Sequence, residues 1–207
     1  HVDSSGNVTA FTNNNTILGV TGQIGNAAAC AALSNQDLSH ANTVILQTGD
    51  IDFTWTVWAN LVSKTTNRTL VSKGISTAVA DIEFWLDYQQ STDRFRFVVG
   101  DAAGAVYTVV LADVLGAPSI ATWYHIAAWH DSVANTISIT VNGGAVDSTS
   151  TAGRAVPATV GSTFIGSLIG ATFMDGLFDE VKYAKRKWST DEIVQDYANG
   201  LAGVPLF

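Results

Sequence analysis

The sequence has one cysteine, three prolines and few charges: Asp, Glu, Lys and Arg together make up 14% of the chain. A lone thiol, Cys30, excludes an intrachain disulfide, so cysteine usage does not set the compartment. It sits in "NAAACAAL" and reads as a small buried core residue. No apolar run reaches about 18 residues, the length that a membrane-spanning helix needs, so no membrane insertion is expected. Basic residues are scarce as well. Ten Lys and Arg stand against 18 Asp and Glu, a net charge of -8, which argues against nucleic acid as a partner. Disorder is excluded too, because 47% of the residues are apolar and supply a large core. No long polar linker interrupts the 207 residues, so residues 1–207 read as a single domain. The chain begins His1-Val2 without a signal peptide and is expected to be a mature or excised piece of a longer product. Asn7, Asn14 and Asn67 each open an Asn-x-Thr triplet, a short pattern that arises readily by chance in a chain rich in Asn and Thr.

What is present is alternation. "DFTWTVWANLV" sends Phe53, Trp55, Val57, Ala59 and Leu61 one way and Thr54, Thr56, Trp58 and Asn60 the other. "IEFWLDY" sets Ile82, Phe84, Leu86 and Tyr88 against Glu83, Trp85 and Asp87. "RFRFVVG", "AVYTVVLA", "WYHIAAWH", "TISITVNGG", "STFIGSL" and "GLFDEVKYA" continue the pattern, and Asn142-Gly143 marks a tight turn. Short strands of this kind predict an all-β, antiparallel two-sheet sandwich. Residues 1–50 read as its irregular opening strands and loops.

One helix is predicted, near the C-terminus. Ser189 is an N-cap with Glu192 three residues on, a capping box. Asp191 and Glu192 complement the helix dipole, and Ile193 and Tyr197 share a face. Asn199-Gly200 is the expected stop. So short a helix needs to dock on the sandwich.

The ordered series "DSSGN" (3–7), "TGQIGNAAA" (21–29), "GDIDFTWTVWANL" (49–61), "TLVSKG" (69–74), "TWYHIAAWHD" (122–131), "ISITVNGGAVDST" (137–149), "FIGSL" (164–168) and "MDGLFDEVKYAKRKWSTDEIVQDYANG" (174–200) resembles the laminin-G-like, concanavalin A-like lectin/glucanase superfamily, in the form common in bacterial and phage surface proteins. The resemblance covers nearly the whole chain and implies a jelly roll. It does not select a function, because the superfamily holds lectins, adhesion modules, hydrolases and lyases.

Five constellations are candidates for chemistry. A glycoside hydrolase needs two carboxyl groups at a set separation. Asp81, Glu83 and Asp87 share parity but lack the glucanase spacing, and Asp179 and Glu180 are adjacent, hence on opposite faces. The resemblance implies a structural Ca2+ ion joining Asp3 and Asn7 to Asp179; the plainer reading is a turn and a carboxylate that holds a loop. Trp58, Trp85, Tyr88, Trp123 and Trp129 are strand aromatics that a sugar-binding face would use, with core packing as the competing reading. His125 and His130 fall on opposite strand faces and read as ordinary hydrogen-bonded histidines. Lys182, Lys185, Arg186 and Lys187 form a local basic patch that suits an anionic polysaccharide or serves as a solvated connector. Taken together, the residues favour a non-catalytic, extracellular or surface-exposed module that recognises a polysaccharide, another glycan or a surface partner. The alternative is a self-assembling structural module of an adhesin, filament, fibre or virion. A glycoside hydrolase is disfavoured for want of the carboxylate pair.

Overall fold

The computed structural model describes residues 10–204. In chain order the strands are β1 (Thr12–Asn14), β2 (Leu18–Thr21), β3 (Asn26–Cys30), β4 (Asp37–His40), β5 (Phe53–Leu61), β6 (Arg68–Gly74) and β7 (Ile82–Gln89). Then follow β8 (Arg94–Val99), β9 (Thr108–Leu111), β10 (Trp123–Asp131), β11 (Thr136–Val141), β12 (Asp147–Ser150), β13 (Ser162–Ile165), β14 (Gly176–Ala184) and the helix α1 (Thr190–Leu201). They form two antiparallel sheets. The first runs β1-β4-β13-β6-β7-β8-β9 and the second β12-β11-β10-β5-β14-β3-β2. Stacked face to face, they make a jelly-roll sandwich with one C-terminal helix, as the alternation predicts.

The alternating apolar positions of β5 build the core. Phe53, Trp55, Val57, Ala59 and Leu61 face Phe84, Leu86, Phe95 and Phe97 of the first sheet. The Phe53 and Phe84 rings lie 5.4 Å apart. Each large side chain so buried contributes about 1.5–3 kcal/mol. Cys30 is buried here as expected, and burial pushes its thiol up to about 12.

Strict alternation fails in β7. Lys73 pairs with Phe84 and Gly74 with Ile82, so Glu83 is the extra residue of a β-bulge. The bulge turns Ile82 away from Phe84 and out to Trp85 and Val98. It also aims Glu83 into the end of the sandwich. There the carboxylate accepts from Thr159 N (2.9 Å), Thr159 Oγ1 (2.7 Å), Thr48 N (3.2 Å) and Thr48 Oγ1. Lys73 Nζ lies 3.5 Å from it and donates to Asn42 Oδ1 and Gly161 O. Both side chains are fully buried, so this ion pair plugs the core and ties down the loops on either side.

At the helix, Ser189 Oγ accepts from Glu192 N (3.2 Å) and Glu192 Oε2 from Ser189 N (2.8 Å), closing the capping box. Trp188, just before the cap, packs with Ile193 as a hydrophobic staple. The predicted stop is corrected by one turn. α1 runs on through Gly200 to Leu201, and the left-handed residue that ends it is Gly203, with φ +68°.

Candidate functional site

The site is defined by what α1 covers and what it leaves open. β5, β10 and β14 send Thr54, Thr56, Trp58, Trp123, His125, Ala127, Trp129, Lys182 and Ala184 to the outer face of the second sheet. Trp188 and Ile193 of the helix segment pack on Ala127, Trp129 and Ala184. One turn further on, the buried Asp196 carboxylate accepts from Lys182 Nζ (2.7 Å), His125 Nε2 (3.1 Å) and Thr56 Oγ1 (3.1 Å), one group from each strand. Burial alone would raise the Asp196 pKa; the hydrogen bonds from His125 and Lys182 outweigh it and hold the carboxyl below its ordinary value. Tyr197 then stacks on Trp58, with centroids 5.7 Å apart.

Beyond the end of the helix the same face is open. Strand register places Trp123 beside Asn60, Asn60 beside Leu177, Leu177 beside Ala29 and Ala29 beside Leu18. These residues form one row across β10, β5, β14, β3 and β2. Each is at least partly exposed, and Leu18 is 62% exposed. The row offers one indole, one amide and three aliphatic side chains, and carries no charge. That set suits stacking and neutral hydrogen bonding and supplies no acid, base or nucleophile.

The five predicted platform aromatics therefore separate. Trp123 keeps an accessible surface. Trp58 and Trp129 are buried beneath α1. Trp85 points to the outer face of the first sheet, where the Arg96 guanidinium lies over its ring at 5.4 Å and Tyr107 meets it edge-on. Tyr88 is core, and its hydroxyl donates to Asp93 (2.9 Å). A five-membered aromatic platform is thus corrected to a single indole; the other four lie in three separate packing environments. Asn60, Leu177, Ala29 and Leu18 escaped the sequence reading because cross-strand register alone brings them together.

The carboxylates are engaged in structure. Asp87 accepts two hydrogen bonds from Arg96, at 2.9 and 2.6 Å. Asp81 accepts from Ser76 Oγ (2.7 Å). Asp179 is buried; its Oδ2 accepts from Ile24 N (2.8 Å) and its Oδ1 from Glu180 N (2.9 Å). Burial raises its pKa, and these N–H donors counter the shift only in part. A Cβ on Gly22 would stand 2.4 Å from Asp179 Oδ2, so the β2–β3 turn wraps tightly around the carboxylate. Calcium demands a shell of oxygens. The described partners of Asp179 are two backbone N–H donors, the arrangement of a carboxylate that holds a loop. Asp3 and Asn7 lie outside the described residues.

His130 Nδ1 lies 2.8 Å from Ile51 O, while His125 serves the helix dock. The basic cluster is largely paired. Lys182 binds Asp196, Arg186 binds Glu192 at 2.6 Å, Lys187 binds Asp131 at 2.7 Å, and Lys185 donates to Val44 O. It works as a connector that locks β14 to the helix.

Comparison with known proteins agrees with this architecture. Domain 4 of an extracellular GH43 arabinanase from Geobacillus stearothermophilus, solved in complex with arabinotriose, is similar with a TM-score of 0.70 and 19% identity, over 93% of this chain and 90% of that one. The binding domain of botulinum neurotoxin serotype G gives a TM-score of 0.73 at 11% identity; 95% of this chain matches 48% of that one, so the chain spans about half of the toxin domain. A heptameric SAP-like pentraxin from Limulus polyphemus gives 0.55 at 14% identity, over 73% of this chain and 71% of that one. No curated protein matches the sequence. Residues 33–194 match the Laminin_G_3 family model, and the chain belongs to the concanavalin A-like lectin/glucanases superfamily.

Proposed function

We propose that this chain is a non-catalytic recognition module that binds a neutral glycan on the open row of the second sheet. The observation that carries the reading is the pair Trp123 and Asn60, in register on adjacent strands at the edge of the helix-covered area. An indole face packs against sugar C–H groups, and an amide both donates to and accepts from hydroxyls. Support comes from the arabinanase domain, whose structure holds arabinotriose, and that enzyme is extracellular. By the same analogy the module works outside the cell or on a surface. The engaged carboxylates support recognition over hydrolysis.

Affinity electrophoresis against a panel of neutral and acidic polysaccharides tests the proposal. Retention by at least one neutral polysaccharide is expected, abolished in Trp123→Ala and weakened in Asn60→Ala with the melting temperature unchanged. Absence of retention across the panel, or retention that survives Trp123→Ala, would sink it.

A further inference from the structure

Lys73 is a primary amine with no exposed surface, and burying one is costly. Glu83 answers its charge at 3.5 Å. The ion pair does not account for the third partner, the side-chain amide of Asn42, whose Oδ1 lies 2.8 Å from Lys73 Nζ. A C=O bond is about 1.2 Å long, so the amine nitrogen stands within about 4 Å of the amide carbon. An amine, a primary amide and a carboxyl group held together away from water are the two reactants and the proton carrier of an amide-exchange reaction.

The fold fixes all three. On the first sheet Lys73 of β6 is in register with Thr163 of β13, and Thr163 with His40 of β4. Asn42 follows β4 by two residues, and its side chain meets Lys73 across β13. Gly161, just before β13, accepts from Lys73 Nζ at 2.7 Å. A Cβ on Gly161 would stand 2.0 Å from the Gly74 carbonyl carbon, so the segment that carries this acceptor is pressed onto β6. Thr48 and Thr159 hold the Glu83 carboxylate from both sides. Burial pulls the Lys73 ammonium below its ordinary pKa and Lys185 repels it further, against the attraction of Glu83. A buried lysine that sheds its proton readily is a nucleophile.

We propose that Lys73 and Asn42 join in an intramolecular isopeptide bond, with Glu83 as the proton carrier. The ammonium gives one proton to the Glu83 carboxylate. Rotation about Cε–Nζ then turns the lone pair of the free amine to Asn42 Cγ, and the new C–N bond forms. The attacking nitrogen loses a second proton, the Cγ–Nδ2 bond breaks, and Nδ2 takes up the two protons released. It departs as ammonium, and Glu83 is again a carboxylate. No oxidant or cofactor enters the balance. The geometry described is that of the groups before the bond forms. The bond closes a covalent ring from Asn42 to Lys73 that contains the whole of β5, so the central strand of one sheet is tied through the other. This holds whether or not the open row binds sugar.

Intact-mass spectrometry of the denatured chain tests the proposal. The expected mass lies below the sequence value by one ammonia, about 17 Da. A protease digest is expected to yield a branched peptide that joins Asn42 to Lys73. Asn42→Ala, a change at a half-buried loop residue, returns the mass to the value that its own sequence dictates. The full sequence mass in the parent, both fresh and after long incubation at neutral pH, overturns the proposal. So does a loss of ammonia that survives Asn42→Ala or maps to a linear peptide, as ring closure of Asn142 onto the Gly143 nitrogen would give.

Discussion

Gly200 of α1 lies so close to the Trp58 indole that a Cβ there would come within 2.4 Å of Nε1. The sequence marks this glycine as the end of a helix; the structure uses it inside one, as the contact that lets the last turn lie flat on β5. Gly200→Ala gains about 1 kcal/mol of helix propensity but forces the helix off the indole. A net loss of about 2 kcal/mol is expected, together with a change in tryptophan fluorescence. Unchanged stability and emission would show that the contact relaxes at no cost.

Asp196 is the polar centre of the same dock. Asp196→Asn leaves Lys182 without its 2.7 Å carboxylate partner, and a loss of about 3 kcal/mol is expected from urea unfolding at neutral pH. The pH dependence follows from the direction of its shift. Its folded pKa lies below the unfolded value, so the stabilisation is complete above about pH 4 and is lost as the pH falls through the folded pKa. The difference between parent and variant should narrow only in that acid range. A gap that stayed constant into acid would remove Asp196 from this role.

The Glu83–Lys73 plug makes a separate claim. Glu83→Ala removes the acceptor for Thr48 and Thr159 and strips Lys73 of its buried counter-charge. A loss of about 4 kcal/mol is expected. Hydrogen exchange at the Thr48 and Thr159 amides should accelerate beyond the global change. Exchange that follows global unfolding alone would mean that the loops hold without the plug.

Calcium gives a simple reading. With amide donors around Asp179, saturating calcium is expected to leave the melting temperature where it stands, and EDTA likewise. A rise that EDTA reverses would restore the ion to this region of the fold.

Much of the sandwich could be read from side-chain parity, because β5 has apolar residues at every second position and both its faces are buried by distinct partners. The capping box was equally plain, since Ser189 and Glu192 are three residues apart and need only each other. The site was less legible. Trp58 and Trp123 occupy the outer face of neighbouring strands and look alike in sequence, yet the end of α1 covers one and spares the other. The bulge at Glu83 is a register event and leaves no mark in the pattern of types. Asp179 finds Ile24 N across most of the chain, a contact that no local window contains.

The order of the second sheet bears on synthesis. β14 stands between β5 and β3, so the β2–β3 hairpin has no place in that sheet until the last strand is made. Within the domain, a hairpin made early is thus among the last elements to be paired. During that interval an uncharged, alanine-rich hairpin waits with both edges open, the state in which chains capture one another. Premature termination before Gly176 would make the wait permanent, and such fragments should be recovered as aggregates.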